Sequence, residues 1–208
     1  NAVAGVATFS DVGISGTAAT AYTLTFTSAG LTSATQSITP TFGIATRATL
    51  TTNAAGSASG SAFTTQPIIT IKDTFGNTVT DSTASVTMAV SGANGLATTV
   101  GTTTINAVAG IATFAGVGIS GTDGTSYTLT FTSTGLTIAT QTITPTFGIA
   151  TQAPLTTNPA GAPSGSAFTT QPVITIKDAA GNTVTNSTAS VTMTVSSGAT
   201  TLGTTTIN

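Results

Sequence analysis

The 208 residues carry almost no charge: three Lys or Arg, five Asp or Glu, a formal net charge of −2, and no His, Cys or Trp. Three cations cannot displace the counterions of a phosphate backbone, and zinc or copper sites need imidazole or thiolate ligands. Nucleic-acid binding and transition-metal sites are therefore excluded. No apolar run approaches the roughly 20 residues of a membrane helix, because Thr, Ser or Gly interrupts every hydrophobic stretch.

The N-terminal part of the chain contains short segments in which apolar and polar residues alternate. Residues 5–9 (GVATF) are a strand candidate. They are followed by residues 12–17 (VGISGT), where glycine is expected to end the strand. In residues 22–27 (YTLTFT) Tyr, Leu and Phe fall on one face and three Thr on the other, which is typical of a half-buried strand. Residues 34–42 (ATQSITPTF) predict a strand that lies at an edge or ends at Pro40, because proline donates no ladder hydrogen bond.

The next segments continue the pattern. Residues 67–73 (PIITIKD) place Ile69 and Ile71 on one face and lead into the turn DTFGN, and residues 85–90 (SVTMAV) alternate in the same way. Thr, the most abundant residue, is β-branched and suits a pleated surface. No window has helical apolar spacing, so the fold class is predicted to be all-β, with about seven or eight short strands per repeat. The predicted core consists of Ile69, Ile71, Val86, Met88, Val90, Phe114, Tyr127, Leu129 and Phe131.

The chain repeats itself after 105 residues. Tyr22 returns as Tyr127, Phe42 as Phe147, Phe63 as Phe168, Lys72 as Lys177 and Met88 as Met193. Near the end the register slips, because residues 91–106 return as residues 196–208, three residues shorter. Self-similarity at a domain-sized period predicts a tandem array of modules rather than one globular enzyme. The sequence begins with NAVAG and ends with TTTIN, and the internal junction reads TTTINAVAG, so the last residue could continue directly into another copy of the first. We therefore expect the sequence to be a window from a longer array.

Three stretches together resemble a known family. Residues 64–90 (TTQPIITIKDTFGNTVTDSTASVTMAV), residues 101–122 (GTTTINAVAGIATFAGVGISGT) and residues 126–147 (SYTLTFTSTGLTIATQTITPTF) resemble the bacterial Ig-like repeats of very large surface and adhesin proteins. The resemblance implies tandem antiparallel β-sandwich modules strung end to end. It places a complete module at residues 44–148, the C-terminal part of another at residues 1–43, and the N-terminal part of a third at residues 149–208. The short FGIAT junctions, without a Gly/Ser-rich linker, predict a semi-rigid string.

The acidic residues invite a metal or catalytic interpretation. Asp73 and Asp178 each begin a DxxGN turn, where Asp normally accepts hydrogen bonds from its own backbone. The neighbouring Lys72 and Lys177 point to the opposite strand face, so we expect them to be exposed rather than paired or cross-linked to an Asn. Calcium needs six to eight oxygen ligands, and no cluster in the sequence offers more than one or two carboxylates. No metal or cofactor is expected.

Catalysis is not expected either. Ser and Thr are abundant, but with no His and no Glu there is no base to activate them in the manner of a triad. Tyr22 and Tyr127 each lead a YTLTF strand, and two interpretations stay open for them. Each is either a corner tyrosine whose hydroxyl bonds back to the chain, as in Ig-like sandwiches, or an ordinary tyrosine at the edge of the core.

These observations favour a non-catalytic structural repeat in the stalk or shaft of a long extracellular fibre, adhesin, or surface-layer or sheath protein. The alternative is a glycan- or surface-binding Ig-like module of an adhesin. We expect an extracellular, cell-surface or secreted location, no nucleic-acid partner and no membrane span. The expected partners are neighbouring copies of the same repeat, which complete the partial modules within one chain or between subunits. Because charge repulsion is weak, the Thr/Ser faces either meet one another or carry O-linked glycan.

Overall fold

A computed structural model describes residues 1–92, 96–161, 163–196 and 198–207. Within these residues the chain is all-β, and no helix is present that could cross a membrane. The strands are β1 (Tyr22–Phe26), β2 (Ala34–Ile38), β3 (Ala45–Thr52), β4 (Ser61–Ala62), β5 (Ile68–Asp73), β6 (Ser85–Ser91), β7 (Thr98–Val100), β8 (Thr104–Asn106), β9 (Ile111–Thr113), β10 (Gly118–Ser120), β11 (Tyr127–Thr132), β12 (Ala139–Ile143), β13 (Ala150–Gln152), β14 (Leu155–Thr157), β15 (Val173–Ile174), β16 (Lys177–Asp178), β17 (Val191–Thr192) and β18 (Thr206–Ile207).

The central segment, residues 44–148, holds three antiparallel sheets that share one core. Their strand orders are β12-β11-β6-β8, β3-β5-β9 and β4-β10-β7. The apolar sides of β5, β6, β10 and β11 belong to a single cluster of buried side chains. Within it, the rings of Phe114 and Phe131 lie 5.6 Å apart at 59°. The arrangement is sandwich-like, with apolar faces buried between the sheets.

The predicted core is confirmed. Eight of its nine members are at most 2% exposed, and Val90 is partly buried against the cluster. Period-two alternation identified these positions because successive side chains of a strand point to opposite sides of the sheet. The predicted effect of proline is also confirmed, since β2 and β12 end at Ile38 and Ile143, before Pro40 and Pro145. β12 is in addition an edge strand of its sheet.

Two strand predictions differ from the structure. The VGISGT segment was expected to end a strand, but in the central segment Gly118–Ser120 form β10, between β4 and β7. A Cβ atom on Gly118 would overlap the carbonyl of Ser61, so glycine here allows two strands to approach closely. Ten strands, β3 to β12, therefore lie in the described part of the central segment, residues 44–92 and 96–148, rather than seven or eight.

The flanking segments repeat only part of this architecture. The N-terminal segment, residues 1–43, contains the hairpin β1-β2, and the C-terminal segment, residues 149–207, contains the pairs β13-β16, β14-β15 and β17-β18. Residues 5–9 form no strand, although their copy contains β9. β9 pairs with β5, and the N-terminal segment has no copy of β5. Nearly the same sequence, with Val6 in place of Ile111, therefore forms a strand in the central segment, where β5 is present to pair with it.

Candidate functional site

The DxxGN turn at residues 73–77 is held by its first residue. Asp73 ends β5, and its Oδ1 accepts hydrogen bonds from the backbone N–H of Phe75 at 2.9 Å and of Asn77 at 2.8 Å. Gly76 adopts φ +88°, a conformation that favours glycine. The prediction that this aspartate bonds its own turn is confirmed, and we name residues 73–77 and their copy, residues 178–182, the junction turns.

The same carboxylate also binds the segment that enters the central sheets. Asp73 Oδ2 accepts hydrogen bonds from Gly43 N at 2.8 Å and from Asn77 Nδ2 at 2.9 Å. Gly43 belongs to the FGIAT stretch that connects the N-terminal and central segments. With only 1% of Asp73 exposed, the carboxylate is a buried connection between the turn and this short linker.

Asn77 extends the connection to the preceding repeat. Its Nδ2 also donates to the carbonyl of Gly16 at 3.1 Å, and its Oδ1 accepts a hydrogen bond from Ala18 N at 2.9 Å. These partners lie about 60 residues upstream, in a loop of the N-terminal segment. We name residues 16–18 and their copy, residues 121–123, the receiving loops. One side-chain amide thus satisfies both a donor and an acceptor of the receiving loop.

The second junction turn makes the same contacts with the central segment. Asp178 Oδ2 accepts from Gly148 N at 2.7 Å and from Asn182 Nδ2 at 2.8 Å. Asn182 Nδ2 also donates to the Gly121 carbonyl at 2.9 Å, and Asn182 Oδ1 accepts from Asp123 N at 2.9 Å. Asp123 replaces the Ala18 of the first receiving loop. The substitution leaves the contact unchanged because only the backbone N–H takes part.

The tyrosines hold the receiving loops. The hydroxyl of Tyr22 accepts a hydrogen bond from Thr17 N at 2.9 Å, and that of Tyr127 accepts one from Thr122 N at 3.0 Å. Of the two interpretations left open by the sequence, the structure therefore has the hydroxyl bonded back to the chain. A Cβ atom on Gly121 would lie 2.8 Å from the Tyr127 ring, so glycine lets the loop rest against the tyrosine.

Three polar residues lie near the junctions. The sequence predicted no role for Ser59 and Arg47, and it predicted a different environment for Lys72. Ser59 Oγ donates to the Gly121 carbonyl and accepts from Gly121 N, which fixes the second receiving loop from within the central segment. Arg47 donates to the backbone carbonyls of Asp73 and Thr74 at the first junction turn. The sequence has only three Lys or Arg residues, and that scarcity was the one feature that could have drawn attention to Arg47. Lys72, which was expected to be exposed, is half-buried, and so is its copy Lys177. Each forms an isolated β-bridge with the residue that follows its turn, Thr78 or Thr183.

The environment of the two aspartates favours their charged form. Burial by itself raises the pKa of Asp73, but hydrogen bonds from Gly43, Asn77 and Phe75 outweigh it and lower the pKa to about 2. Burial also raises the pKa of Asp178, and its hydrogen bonds from Gly148 and Asn182 again outweigh it, so that the pKa lies below its usual value. Among the described residues, no group of three or more His, Cys, Asp or Glu could hold a metal ion.

We expect the junctions to loosen in acid. The folded pKa of Asp73 lies below the unfolded value of about 3.9, so its stabilising effect is complete above pH 4 and is lost as the pH falls towards 2. The backbone amide resonances of Gly43 and Gly148 should shift over this window in an NMR titration. Asp73→Asn should remove the shift at Gly43 but not at Gly148, whereas Asp11→Asn, at an exposed residue of the N-terminal segment, should change neither. A Gly43 resonance that does not respond down to pH 2 would contradict the assignment.

Comparison with known proteins gives little further information. No protein-family model matches the chain. No curated protein matches it either. Among solved structures, two of a β-glucuronidase from Parabacteroides merdae, one with glycerol in its active site, are 13% identical at TM-scores of 0.39 and 0.38, and cover 55% and 54% of this chain. A β-glycosidase from Bacteroides vulgatus is 17% identical over 53% of this chain, at a TM-score of 0.39. The chain spans only 14–15% of the length of these enzymes, and at such scores the likeness carries no inference about activity.

Proposed function

We propose that the chain is a non-catalytic structural repeat that forms the stalk of a long extracellular fibre, adhesin, or surface-layer or sheath protein. In this proposal the segments 1–43, 44–148 and 149–208 are parts of tandem Ig-like modules. The observation that carries the proposal is that one set of junction contacts occurs twice, 105 residues apart. In both copies a buried Asp binds the linker glycine, and an Asn binds the receiving loop of the preceding repeat.

These contacts suit a stalk because they fix one repeat against the next without a ligand. A two-part connection, one through the linker and one through the receiving loop, restrains both bending and rotation at the junction. Bonds from the neutral Asn amides to backbone groups are also insensitive to salt, unlike exposed ion pairs. A chain in which 4% of residues are charged has few other electrostatic interactions that salt could weaken. We therefore infer a string whose stiffness is independent of calcium and ionic strength.

The stiffness can be measured by small-angle X-ray scattering on the dilute chain. We expect the maximum dimension of the wild-type protein to be unchanged by a calcium chelator and by high salt. The double variant Asn77→Ala/Asn182→Ala should give a broader distance distribution because both junctions lose their contacts to the receiving loops. Asn186→Ala, which changes an exposed residue beside the second junction, is the matched control. A wild-type chain as flexible as the double variant would overturn the proposal.

A further inference from the structure

One tripeptide of the sequence matches the acceptor pattern for N-linked glycan. The pattern is an Asn followed two residues later by Ser or Thr, with any residue except Pro between them. Of the nine asparagines in the chain, only Asn186 meets it, in the stretch Asn186-Ser187-Thr188. Three residues can match by chance in a Thr-rich sequence, so a glycan site must also be exposed and free of other contacts.

The structure places this tripeptide in an exposed β-turn. Ser187 N donates to the Val184 carbonyl at 3.1 Å, which puts Asn186 at the third position of the turn. Asn186 and Thr188 are both exposed. Ser187 Oγ accepts a hydrogen bond from Ala189 N at 3.3 Å, whereas within the described residues the side chains of Asn186 and Thr188 make no hydrogen bond. The amide and the hydroxyl that a glycosyltransferase must reach are therefore accessible.

This exposure does not depend on where the sequence begins or ends. The central segment contains a copy of the turn, closed by the same hydrogen bond, from Ser82 N to the Val79 carbonyl at 3.0 Å. Asp81 and Thr83 occupy the first and third places of the tripeptide there and are exposed as well. The central segment precedes one turn and contains the other, so the exposure persists with its three sheets on either side. The two turns differ in the acceptor, since Asp81 has no amide nitrogen.

Asn186 also lies at the rim of an open cleft beside the second junction. The cleft has a volume of about 570 Å³, and Ile149 and Val184 contribute to its lining. Ile149 is 78% exposed, and its copy Ile44, beside a cleft of about 490 Å³ at the first junction, is 88% exposed. A glycan is bulky and solubilising. Attached at Asn186, it begins at this cleft and covers an apolar residue of the linker.

We propose that Asn186 carries an N-linked glycan, attached through Nδ2, and that its first sugars cover Ile149. The inference rests on the extracellular location in the proposed function, because this modification belongs to secreted proteins. The donor is an oligosaccharide linked to a lipid diphosphate. A bond forms between Nδ2 and the anomeric carbon of the first sugar, and the bond from that carbon to the diphosphate breaks. The lipid diphosphate leaves, and a base of the transferase takes one proton from Nδ2.

Mass spectrometry of the native protein tests the modification directly. Digestion of the denatured chain after Lys177 releases a peptide that begins at Asp178 and contains Asn186. We expect this peptide to carry the mass of an oligosaccharide, and electron-transfer fragmentation should locate that mass on Asn186. An unmodified peptide, or a glycan found only on Ser or Thr, would overturn the proposal.

The acceptor can be tested in the full chain secreted from a eukaryotic host. We expect one glycan per molecule that an N-glycosidase releases. Asn186→Gln and Thr188→Ala should each remove it, whereas Thr188→Ser should retain it, because Ser also supplies the hydroxyl of the pattern. Asp81→Asn should add a second glycan, since the stretch from Asp81 to Thr83 forms the same turn. A wild-type chain secreted without this glycan, or a glycan that persists in Asn186→Gln, contradicts the assignment.

The position of the glycan is measured by NMR. Nuclear Overhauser effects should connect the first sugar to the methyl groups of Ile149 but not to those of Ile44, which lies beside Asp81 and serves as the internal control. Their absence at Ile149 would disprove the covering of the linker. The scattering experiment uses the chain made without glycosylation, in which Asn186→Ala remains a neutral control. A missing glycan thus leaves the stalk proposal standing, and a flexible chain that does carry the glycan contradicts the stalk proposal alone.

Discussion

Leu129→Ala should lower the free energy of unfolding by about 2–5 kcal/mol, as large-to-small substitutions in well-packed cores do. Leu129 is fully buried in the middle of β11 and lies opposite Val90 on β6. Its removal therefore leaves a cavity where the sheets of the central segment meet. Equilibrium denaturation by urea or guanidinium, followed by a spectroscopic signal of the central segment, measures the change.

Thr130→Ala is the matched control for this prediction. Thr130 is the next residue of β11, points to the other side of the sheet and is half-buried, so its loss should cost under about 1 kcal/mol. The difference between the two variants reports which side of β11 faces the core. Equal losses at both positions would mean that the Thr-rich side is also covered by other protein.

Asn182→Ala should lower the free energy that holds the C-terminal segment to the central segment by about 1–3 kcal/mol, the cost of leaving buried polar groups unsatisfied. Asn182 is 8% exposed, and its side chain contacts Gly121, Asp123 and Asp178. Native-state hydrogen exchange gives the most direct measurement, because the Asp123 amide donates to the Asn182 side chain. That amide should exchange about 5- to 150-fold faster in the variant, which corresponds to the same free energy.

The control for this variant is Asn186→Ala, four residues further along the C-terminal segment. Asn186 is exposed, so its removal should leave the exchange of the Asp123 amide unchanged. Protection that persists in Asn182→Ala would show that the receiving loop is held by Tyr127 and Ser59 alone. The junction turn would then contribute to the structure of its own segment but not to the connection between segments.

Local sequence patterns predicted the parts of the fold that depend on local physics. Alternation identified the buried sides of β5, β6 and β11, and proline marked the ends of β2 and β12. The Asp of the DxxGN motif was assigned to its own turn because those hydrogen bonds span only two to four residues. Strand β10 was missed because the reason for its glycine is a close approach to a strand nearly 60 residues away.

The junction contacts could not be derived in the same way. Asn77 and Asn182 occur in a turn motif whose local role explains them fully, so nothing in the sequence indicated partners 59 to 61 residues upstream. The tyrosine interpretation was open for a similar reason, since the hydroxyl partner depends on how the preceding loop folds back. Sequence periodicity identified the 105-residue repetition in the sequence, but the contacts of one segment with the next include these long-range hydrogen bonds.

The two asparagine side chains bind the main chain of the receiving loops, and for the proposed stalk this has a consequence in evolution. Ala18 and Asp123 occupy the same place in the two loops and offer the same N–H group. A repeat therefore does not need a particular neighbour, because every receiving loop with this backbone conformation fits every junction turn. Unequal recombination between copies can lengthen or shorten the gene without a new interface having to arise. We expect natural variants of this protein to differ in the number of repeats while the Asp, Asn and Gly of each junction stay the same.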